Sequence, residues 1–259
     1  MWRQKTTVSE KRSQYPRSFS QSDAAGCKAG HIRTNPADPC DLPRAVRKDI
    51  HPLDNEAIAR FLKVARGHRY EAIYVLTLFT GLREGEVLGL LWDCVDLERG
   101  VIVVNKQLQK ERRGKGEYHL VTTKNGKSRQ ITAAPFVVDL LKKQRRLQES
   151  QKRLAGEAWE NSGLVFTNEM GHHLSAQTVY LHFKKLAGQA GFPSARFHDL
   201  RHSYAVASLQ SGDDIKTVQE NLGHHTAAFT LDVYGHVTEQ MRRSSADRMQ
   251  RFIESLPQE

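Results

Sequence analysis

The stretch HDLRH, residues 198–202, opens a helix predicted over Asp199–Gln210 and places two histidines beside one arginine. On such a helix His198 and Arg201 are three positions apart and lie on one face, so both side chains can address the same ligand. A single His-x-x-Arg also occurs by chance in many helices. The stretch therefore becomes informative only together with the segments around it.

Other chemically active side chains occur at four further places along the chain. Upstream, Arg83 ends the triplet GLR at 81–83, where one predicted helix stops and another begins, a position that directs a side chain into a cleft. Lys124 lies in a turn predicted by Asn125-Gly126. Downstream come LGH at 222–224 and YGH at 234–236. The set contains arginines, a lysine, histidines and a tyrosine, without a matching cluster of carboxylates.

This set of side chains restricts the reaction. Nucleases with two metal ions need several Asp or Glu side chains to hold Mg²⁺, and the sequence offers no candidate set. Two arginines can instead grip phosphate oxygens and neutralise the charge of a pentacovalent phosphate. A tyrosine becomes a nucleophile where cations favour its phenolate and a histidine accepts its proton. This set of side chains thus allows phosphoryl transfer through a phosphotyrosine, without metal, ATP or any other cofactor.

The hydrophobic periodicity predicts a mainly α fold with a small antiparallel β-sheet. Further helices are predicted from Asp54 and over Tyr70–Phe79, Gly85–Leu91, Pro135–Lys152, Ser175–Gly191, Asp214–Leu222 and Thr238–Ser255. Sheet strands are predicted over Val101–Gln109, Tyr118–Thr123 and Ser128–Thr132, and a further short strand over Leu164–Phe166.

From about Pro43 to Leu256 the chain resembles the catalytic domain of the tyrosine recombinase (phage integrase) family. The segments that carry the resemblance are TGLREGE (80–86), TK through SRQI (123–131), HDLRH (198–202), LGH (222–224) and LDVY (231–234). They occur in the family's order with matching gaps. The resemblance implies an integrase-like catalytic fold and a site-specific recombinase that cuts and rejoins DNA strands through a 3′-phosphotyrosine link.

The resemblance also implies a role for each chemically active residue. Arg83 and Arg201 would bind the scissile phosphate, and His224 would contact it as well. Tyr234 would attack the phosphorus and form the covalent link, while His198 would help to accept the tyrosine proton.

The assignment of the general acid rests on a choice between two lysines in one predicted β-hairpin turn. Lys124 and Lys127 are three residues apart, and either could reach the 5′ oxygen that leaves. We prefer Lys124, because its spacing to Arg129 and Ile131 resembles the family's better. In the same pattern Glu86 is expected to be a buried support for the first arginine.

Metal and disulfide sites are not predicted. The three cysteines Cys27, Cys40 and Cys94 are scattered and odd in number. The pairs His172-His173 and His224-His225 are adjacent in sequence, whereas useful helical ligand pairs are three or four residues apart.

The charge distribution favours a polyanionic partner. The net charge is +10, and it is concentrated in residues 1–48, with 10 Lys and Arg against 4 Asp and Glu, and in residues 101–150, with 12 against 4. Double-stranded DNA is the expected partner, since basic side chains displace counterions from its backbone. A solvated hairpin and a disordered tail would show the same charges. The residues predicted to contact DNA are Arg112, Arg113, Lys115, Lys127 and Arg129.

The composition changes near residue 48, after a proline-rich linker with Pro36, Pro39 and Pro43. Residues 1–48 are therefore predicted to be a basic, disordered arm or the remnant of a core-DNA-binding domain, and residues 49–259 the catalytic domain. The segment 30–36 resembles the end of the DNA-clamping domain of the family, which we expect to be missing or truncated.

Two other functions remain compatible with the sequence. A type IB topoisomerase uses the same side chains to relax DNA, and a non-catalytic DNA-binding remnant could modulate an intact integrase. For the recombinase, the resemblance implies a homotetramer on two DNA sites, with accessory directionality or DNA-bending proteins as further partners. The lack of a long apolar run predicts no membrane association and a location in the bacterial cytoplasm, at the nucleoid.

Overall fold

The computed structural model describes residues 25–35, 51–111, 117–123, 126–223 and 238–256, without the side chains of 238–244. The chain divides into two compact units, Met1–Asp49 and Ile50–Glu259, and the sequence places this boundary at residue 48. Residues 25–28 of the first unit form a helical turn, within the stretch predicted to be a disordered arm or the remnant of a core-DNA-binding domain. The rest of that prediction, for residues 1–24 and 36–48, lies outside the described part.

The second unit begins with the helices α1 (Asn55–Ala65), α2 (Glu71–Thr80) and α3 (Glu84–Leu88). Asp54 caps α1, and its Oδ1 accepts a hydrogen bond of 2.7 Å from the amide of Ala57. Gly81 ends α2 with φ 67°, in the left-handed region that glycine adopts without steric cost. The predicted start of α1 and the predicted bounds of α2 are therefore confirmed to within about one residue.

The segment after α3 bonds to a distant stretch instead of continuing the helix. Predicted to reach Leu91, α3 ends at Leu88, because the backbone of Leu90–Trp92 bonds to that of residues 163–165 at distances of 2.8 and 3.0 Å. The strand predicted over Leu164–Phe166 is wrong, since among the described residues this stretch makes one isolated bridge, to Leu91. A single bridge fixes two loops against each other but does not make a β-ladder.

The antiparallel sheet is present but divided in two. One sheet has the order β1 (Val95–Asp96), β2 (Val101–Val104) and β5 (Arg129–Thr132), and the other consists of β3 (Lys106–Lys110) and β4 (Tyr118–Thr122). The strand predicted over Val101–Gln109 is broken at Asn105, where its second half turns to lie against α3. Consequently β4 and β5 pair with successive halves of one bent segment and not with each other.

The remaining helices complete a mainly α fold, as predicted. They are α4 (Pro135–Ala155), α5 (Ala176–Gln189), α6 (Phe197–Gln210), α7 (Ile215–Leu222) and α8 (Thr238–Ser255). Helix α6 begins two residues earlier than predicted, so His198 lies within its first turn. Helix α7 begins after its cap Asp214 and ends at Gly223, which has φ 61°.

An aromatic cluster joins the helices on which the candidate site is built. Phe61, Tyr74, Phe183 and Phe197 come from α1, α2, α5 and α6, and the centroids of neighbouring rings are 5.6 to 6.0 Å apart. All four are almost completely buried, and each aromatic side chain of this size removes roughly 150–250 Å² from water. Burial on this scale fixes α2 against α6.

Two glycines allow α3 to lie directly on the backbone of β3. A Cβ atom at Gly89 would be 2.5 Å from the amide nitrogen of Leu108, and one at Gly85 would be 2.9 Å from its carbonyl oxygen. Both distances are shorter than a non-bonded contact allows. The short helix that follows Arg83 is therefore held in place by an approach that only glycine permits.

We predict that Gly89→Ala lowers the free energy of unfolding by about 1–3 kcal/mol, because the added methyl group must displace backbone atoms of β3. Urea denaturation of the variant and the wild type measures the difference. Gly188→Ala is the matched control: Gly188 lies within α5, and a methyl group added there would have nothing within 4 Å, so alanine should stabilise the helix by up to about 1 kcal/mol. Equal effects of the two substitutions would contradict the close approach.

Candidate active site

The backbone between α2 and α3 positions Arg83. Gly81 turns the chain at the end of α2, and Arg83 is the N-cap of α3, with extended dihedral angles. Its amide donates to Oε2 of Glu86 at 2.9 Å, and its Nη1 donates to Oε1 of the same carboxylate at 2.7 Å. These two bonds fix both ends of the arginine, while its side chain stays 30% exposed.

Glu86 is a buried carboxylate with two arginine partners. Only 1% of its side chain is exposed, and Arg129 donates from Nη1 to Oε1 at 3.0 Å and from Nη2 to Oε2 at 2.6 Å. Burial alone would raise the pKa of Glu86, but the hydrogen bonds and charges of Arg129 and Arg83 outweigh it and lower the pKa to about 2. The carboxylate is therefore charged at neutral pH.

Arg201 is buried between the carboxyl ends of two helices. It is 2% exposed, and its Nη1 donates to the carbonyl oxygen of Gly81 at 2.5 Å and its Nη2 to that of Leu222 at 2.6 Å. Carbonyl groups at helix ends lack partners within the helix and carry the negative end of its dipole. The two helix ends thus compensate the charge of the guanidinium.

The two arginines converge on one short stretch of backbone. Nη2 of Arg83 is 3.4 Å from the carbonyl oxygen of Gly223, next to the Leu222 carbonyl that Arg201 binds. Residues far apart in sequence are brought together in this way at the end of α7. Two guanidinium groups at one place can bind a single phosphate from two sides.

His198 lies beside both arginines on the first turn of α6. Although the residue is exposed, the protein around its ring removes water, and the charges of Arg201 and Arg83 add to this effect, so the pKa of His198 falls to about 4. Its ring meets that of His202 edge to face, with centroids 4.7 Å apart. At neutral pH His198 is uncharged and can accept a proton.

Several predicted site residues lie outside the described part of the chain. They are Lys124, His224, Tyr234, Arg112, Arg113 and Lys115. The position of Lys124 in the chain still corrects one expectation, since it falls in the connection between β4 and β5 and not at the tip of a hairpin. That connection turns at Gly126, whose amide bonds to the carbonyl of Thr123 at 2.8 Å.

The two described members of the predicted DNA-binding group differ in environment. Lys127 is exposed next to the turn. Arg129 is not an exposed surface residue, because only 11% of its side chain is accessible and its guanidinium binds Glu86. The sequence contained a signal for this inward direction: Arg129 is two residues from buried Ile131 on one strand, and such residues share a face.

Sequence reasoning also missed the role of Asp199 within the HDLRH stretch. Its carboxylate is buried and accepts hydrogen bonds of 2.8 Å from the amide and from Nη2 of Arg196, which anchors the start of α6. An acidic residue three positions after a helix start is typical of such a cap. Within the described ranges no group of three His, Cys, Asp or Glu side chains could hold a metal ion.

Comparison with known proteins identifies the family. Residues 51–241 match the phage integrase family. This chain is a member of that family. Solved structures share its fold: the Tn1549 transposon integrase in complex with transposon right end DNA has a TM-score of 0.73 at 23% identity, over 91% of this chain and 78% of that one. The XerH recombinase bound to palindromic difH substrate has a TM-score of 0.57 at 21% identity, over 94% and 71%. The predicted integrase-like fold is confirmed.

Relatives by sequence carry recombinase names. The tyrosine recombinase XerC-like protein of Caldanaerobacter subterraneus subsp. tengcongensis is 30% identical over 79% of this integrase-family chain and 55% of its own length. Tyrosine recombinase XerC of Xylella fastidiosa strain M23 is 31% identical over 81% of this chain and 64% of its own length. An integrase of Saccharopolyspora erythraea is 24% identical over 87% of this chain and 63% of its own length. The chain thus spans between 55% and 64% of the length of these relatives.

We predict that Glu86→Gln destabilises the protein by about 3–5 kcal/mol at neutral pH, because two guanidinium groups lose their counter-charge. The pH dependence should change as well. The folded pKa of about 2 lies below the unfolded value, so the contribution of Glu86 is present above pH ~4.5 and is lost as the pH falls towards ~2. The variant lacks this loss, and its stability should fall less steeply in acid.

Urea denaturation at several pH values between about 6 and 3 measures both effects. Glu56→Gln is the control, since 89% of that side chain is exposed and its removal should change stability by less than about 0.5 kcal/mol. A Glu86→Gln variant with the acid dependence of the wild type would contradict the assigned pKa.

Proposed function

We propose that this chain is the catalytic domain of a site-specific tyrosine recombinase that cuts and rejoins DNA strands through a 3′-phosphotyrosine intermediate. The observation that carries the proposal is the convergence of Arg83 and Arg201 on adjacent carbonyl groups, with His198 beside them. The family match and the recombinase names of the relatives support the same reaction class.

In the proposed reaction the two arginines hold the non-bridging oxygens of the scissile phosphate, and His224 contacts the same group. The hydroxyl oxygen of Tyr234 attacks the phosphorus, the bond from phosphorus to the 5′ oxygen breaks, and the electron pair stays on that oxygen. A proton from Lys124 completes the 5′ hydroxyl. Guanidinium groups fixed before the reaction need no reorganisation when charge develops, which is the main source of such catalysis.

The proton of the tyrosine requires an acceptor, and His198 is suited to this role. Its ring lies beside both arginines and is neutral at pH 7, so it has a free site for the proton. In the second half of the reaction the 5′ hydroxyl of another strand attacks the phosphotyrosine and releases Tyr234. The phosphodiester energy is kept in the covalent link, so the cycle requires no ATP, metal or cofactor.

Double-stranded DNA is the proposed substrate and partner. Lys106, Lys110 and Lys127 are exposed in and next to the strands of the basic region 101–150, where lysines can neutralise phosphates without reading sequence. The reaction would take place in the bacterial cytoplasm, at the nucleoid. Accessory directionality or DNA-bending proteins belong to this proposal as further partners.

The last helix supports the proposal of a homotetramer on two DNA sites. Met249, Phe252 and Ile253 on α8, and Leu256 directly after its end, are 47–59% exposed, and their spacing places them on one side of the helix. Contiguous exposed apolar residues are typical of a protein interface. We assign this face to contact with a neighbouring protomer.

We predict that Tyr234→Phe abolishes covalent attachment to DNA while leaving DNA binding intact. The full chain is incubated without Mg²⁺, in excess EDTA, with a duplex from the attachment site of its genetic element, nicked beside the cleavage position so that the attacking end is lost. The wild type should give a protein–DNA band on a denaturing gel. Tyr180→Phe is the control, because it removes one phenol on α5 and should leave the band unchanged.

The same proteins, tested also on supercoiled plasmid, separate the other functions. Relaxation of supercoiled plasmid without exchange between two sites would identify a topoisomerase. DNA binding without any covalent band, and insensitive to Tyr234→Phe, would sink the catalytic proposal in favour of a regulatory remnant.

We predict that Phe252→Asp leaves covalent attachment on the nicked substrate intact but reduces recombination between two sites. A charge in the centre of an apolar contact typically removes about 2 kcal/mol of association, which is a loss of roughly 30-fold. Recombinant product and the mass of the protein–DNA complex in sedimentation measure the effect. Gln250→Asp on the same helix is the control, and equal losses in both variants would contradict an interface on the apolar face.

A further inference from the structure

We propose that Arg129 is a positioning residue for the phosphate-binding arginines, a role that rests on the function proposed above. The sequence placed Arg129 among the residues that contact DNA. Its side chain instead points inward from β5 and is 11% exposed. Arg129 binds the carboxylate of Glu86, which supports Arg83. It also binds the backbone at the end of α7, to which Arg201 donates as well.

Three nitrogens of Arg129 bind two different elements. Nη1 and Nη2 donate to the two carboxylate oxygens of Glu86 on α3, and Nε donates to the carbonyl oxygen of Asn221 at the end of α7, at 2.7 Å. The planar guanidinium thus faces Glu86 with its two terminal nitrogens and Asn221 with Nε. A lysine could not reproduce it, because a single ammonium group cannot face both partners in that geometry.

The contact to Glu86 determines how Arg83 is held. Each carboxylate oxygen accepts one bond from Arg129 and one from Arg83, so only Nη1 of the Arg83 guanidinium is bound to Glu86. Without Arg129, the buried carboxylate would have Arg83 as its counter-charge, and burial of a charge strongly favours closer pairing. We expect the guanidinium of Arg83 to turn towards Glu86 and away from the phosphate.

The contact of Arg129 with Asn221 fixes the backbone that Arg201 binds. Residue Leu222, whose carbonyl binds Arg201, lies between Asn221 and Gly223. A Cβ atom at Gly223 would be 3.2 Å from Cδ of Arg129, so the arginine packs directly on the helix cap. The Asn221 side chain also donates to the hydroxyl of Tyr204 on α6 at 2.9 Å. Arg129 thus holds the carbonyls that orient Arg201.

The positioning role and a DNA contact predict different measurements on Arg129→Gln. If the arginine positions the site, the single-turnover rate of covalent attachment at saturating protein falls on the order of 100-fold, since a displacement of about 1 Å has that effect. The affinity for uncleaved DNA stays within about twofold, and its salt dependence is unchanged. If Arg129 were a phosphate contact, affinity would fall and the slope of log K against log salt would decrease by about 1.

A substrate with a neutral methylphosphonate at the scissile position tests whether the loss acts through the arginines. An arginine that grips a charged phosphate oxygen contributes less when that oxygen is replaced by methyl. The ratio of wild-type to Arg129→Gln rates should therefore shrink at least about fivefold on this substrate. A merely structural defect would lower both rates in the same ratio.

Two further variants control for the loss of charge and for misfolding. Arg69→Gln removes an arginine–carboxylate pair at an exposed site and controls for the loss of one positive charge, so its rate should remain that of the wild type. Arg129→Lys retains the charge and takes the place of Arg129→Gln if circular dichroism shows that the latter does not fold. We expect it to lose at least about tenfold in rate, because the fork is absent.

The outcomes separate the two proposals. A wild type that forms no covalent complex overturns the proposed function and the role of Arg129 with it. Cleavage by the wild type, with Arg129→Gln and Arg129→Lys within about threefold of its rate or weakened only in DNA affinity, overturns the positioning role alone.

Discussion

The buried carboxylate of Glu86 is the constraint on which the candidate site depends. Removing a carboxylate from water costs several kcal/mol unless cations and hydrogen bonds compensate it. Glu86 meets this requirement with Arg83 and Arg129, from a loop and a strand more than 40 residues apart in sequence. Because one charge must be satisfied from both sides, α3, β5 and the end of α7 are held in a single arrangement.

The ends of two helices hold the second arginine of the candidate site, Arg201. Gly81 and Gly223 both have left-handed dihedral angles, and the carbonyl of Gly81 and that of Leu222 face the same guanidinium of Arg201. A side chain at Gly81 would also collide with Tyr204, at 2.5 Å, and with Leu222, at 2.7 Å. The glycines therefore serve two purposes: they turn the carbonyls towards the arginine and let α2, α6 and α7 approach closely enough to share it.

The sequence predicted the helices well because their caps and periodicity are local. Asp54, Gly81 and Gly223 mark helix ends through their own backbone preferences, and no tertiary contact is needed to infer them. The break at Asn105 was not predictable in this way. It arises because the following residues must lie against the glycines of α3, which are distant in the chain.

The candidate site, too, was predictable from the sequence only in part. Motif order identified the two arginines, His198 and Glu86 as candidates, and the structure brings these residues together. The environment of Arg129 depends on which face of β5 meets the core, and the net charge of the region does not indicate that face. Positive charge in a DNA-binding region does not distinguish an arginine that meets phosphate from one that neutralises a buried carboxylate. Only the alternation with Ile131 carried that information.

The electrostatic setting of His198 links substrate binding to the proton-accepting role proposed for it. Desolvation and the two neighbouring cations hold its pKa at about 4, where it is neutral but a weak base. A phosphodiester bound between the arginines adds one negative charge next to the ring and offsets part of their effect. The bound phosphate therefore opposes the part of the lowering that the arginines cause, and the efficiency of a general base increases as its pKa approaches the working pH. Under the proposed function, burial and the arginines together keep the histidine unprotonated before DNA binds, and the phosphate that the arginines bind makes it a better base by offsetting their charge.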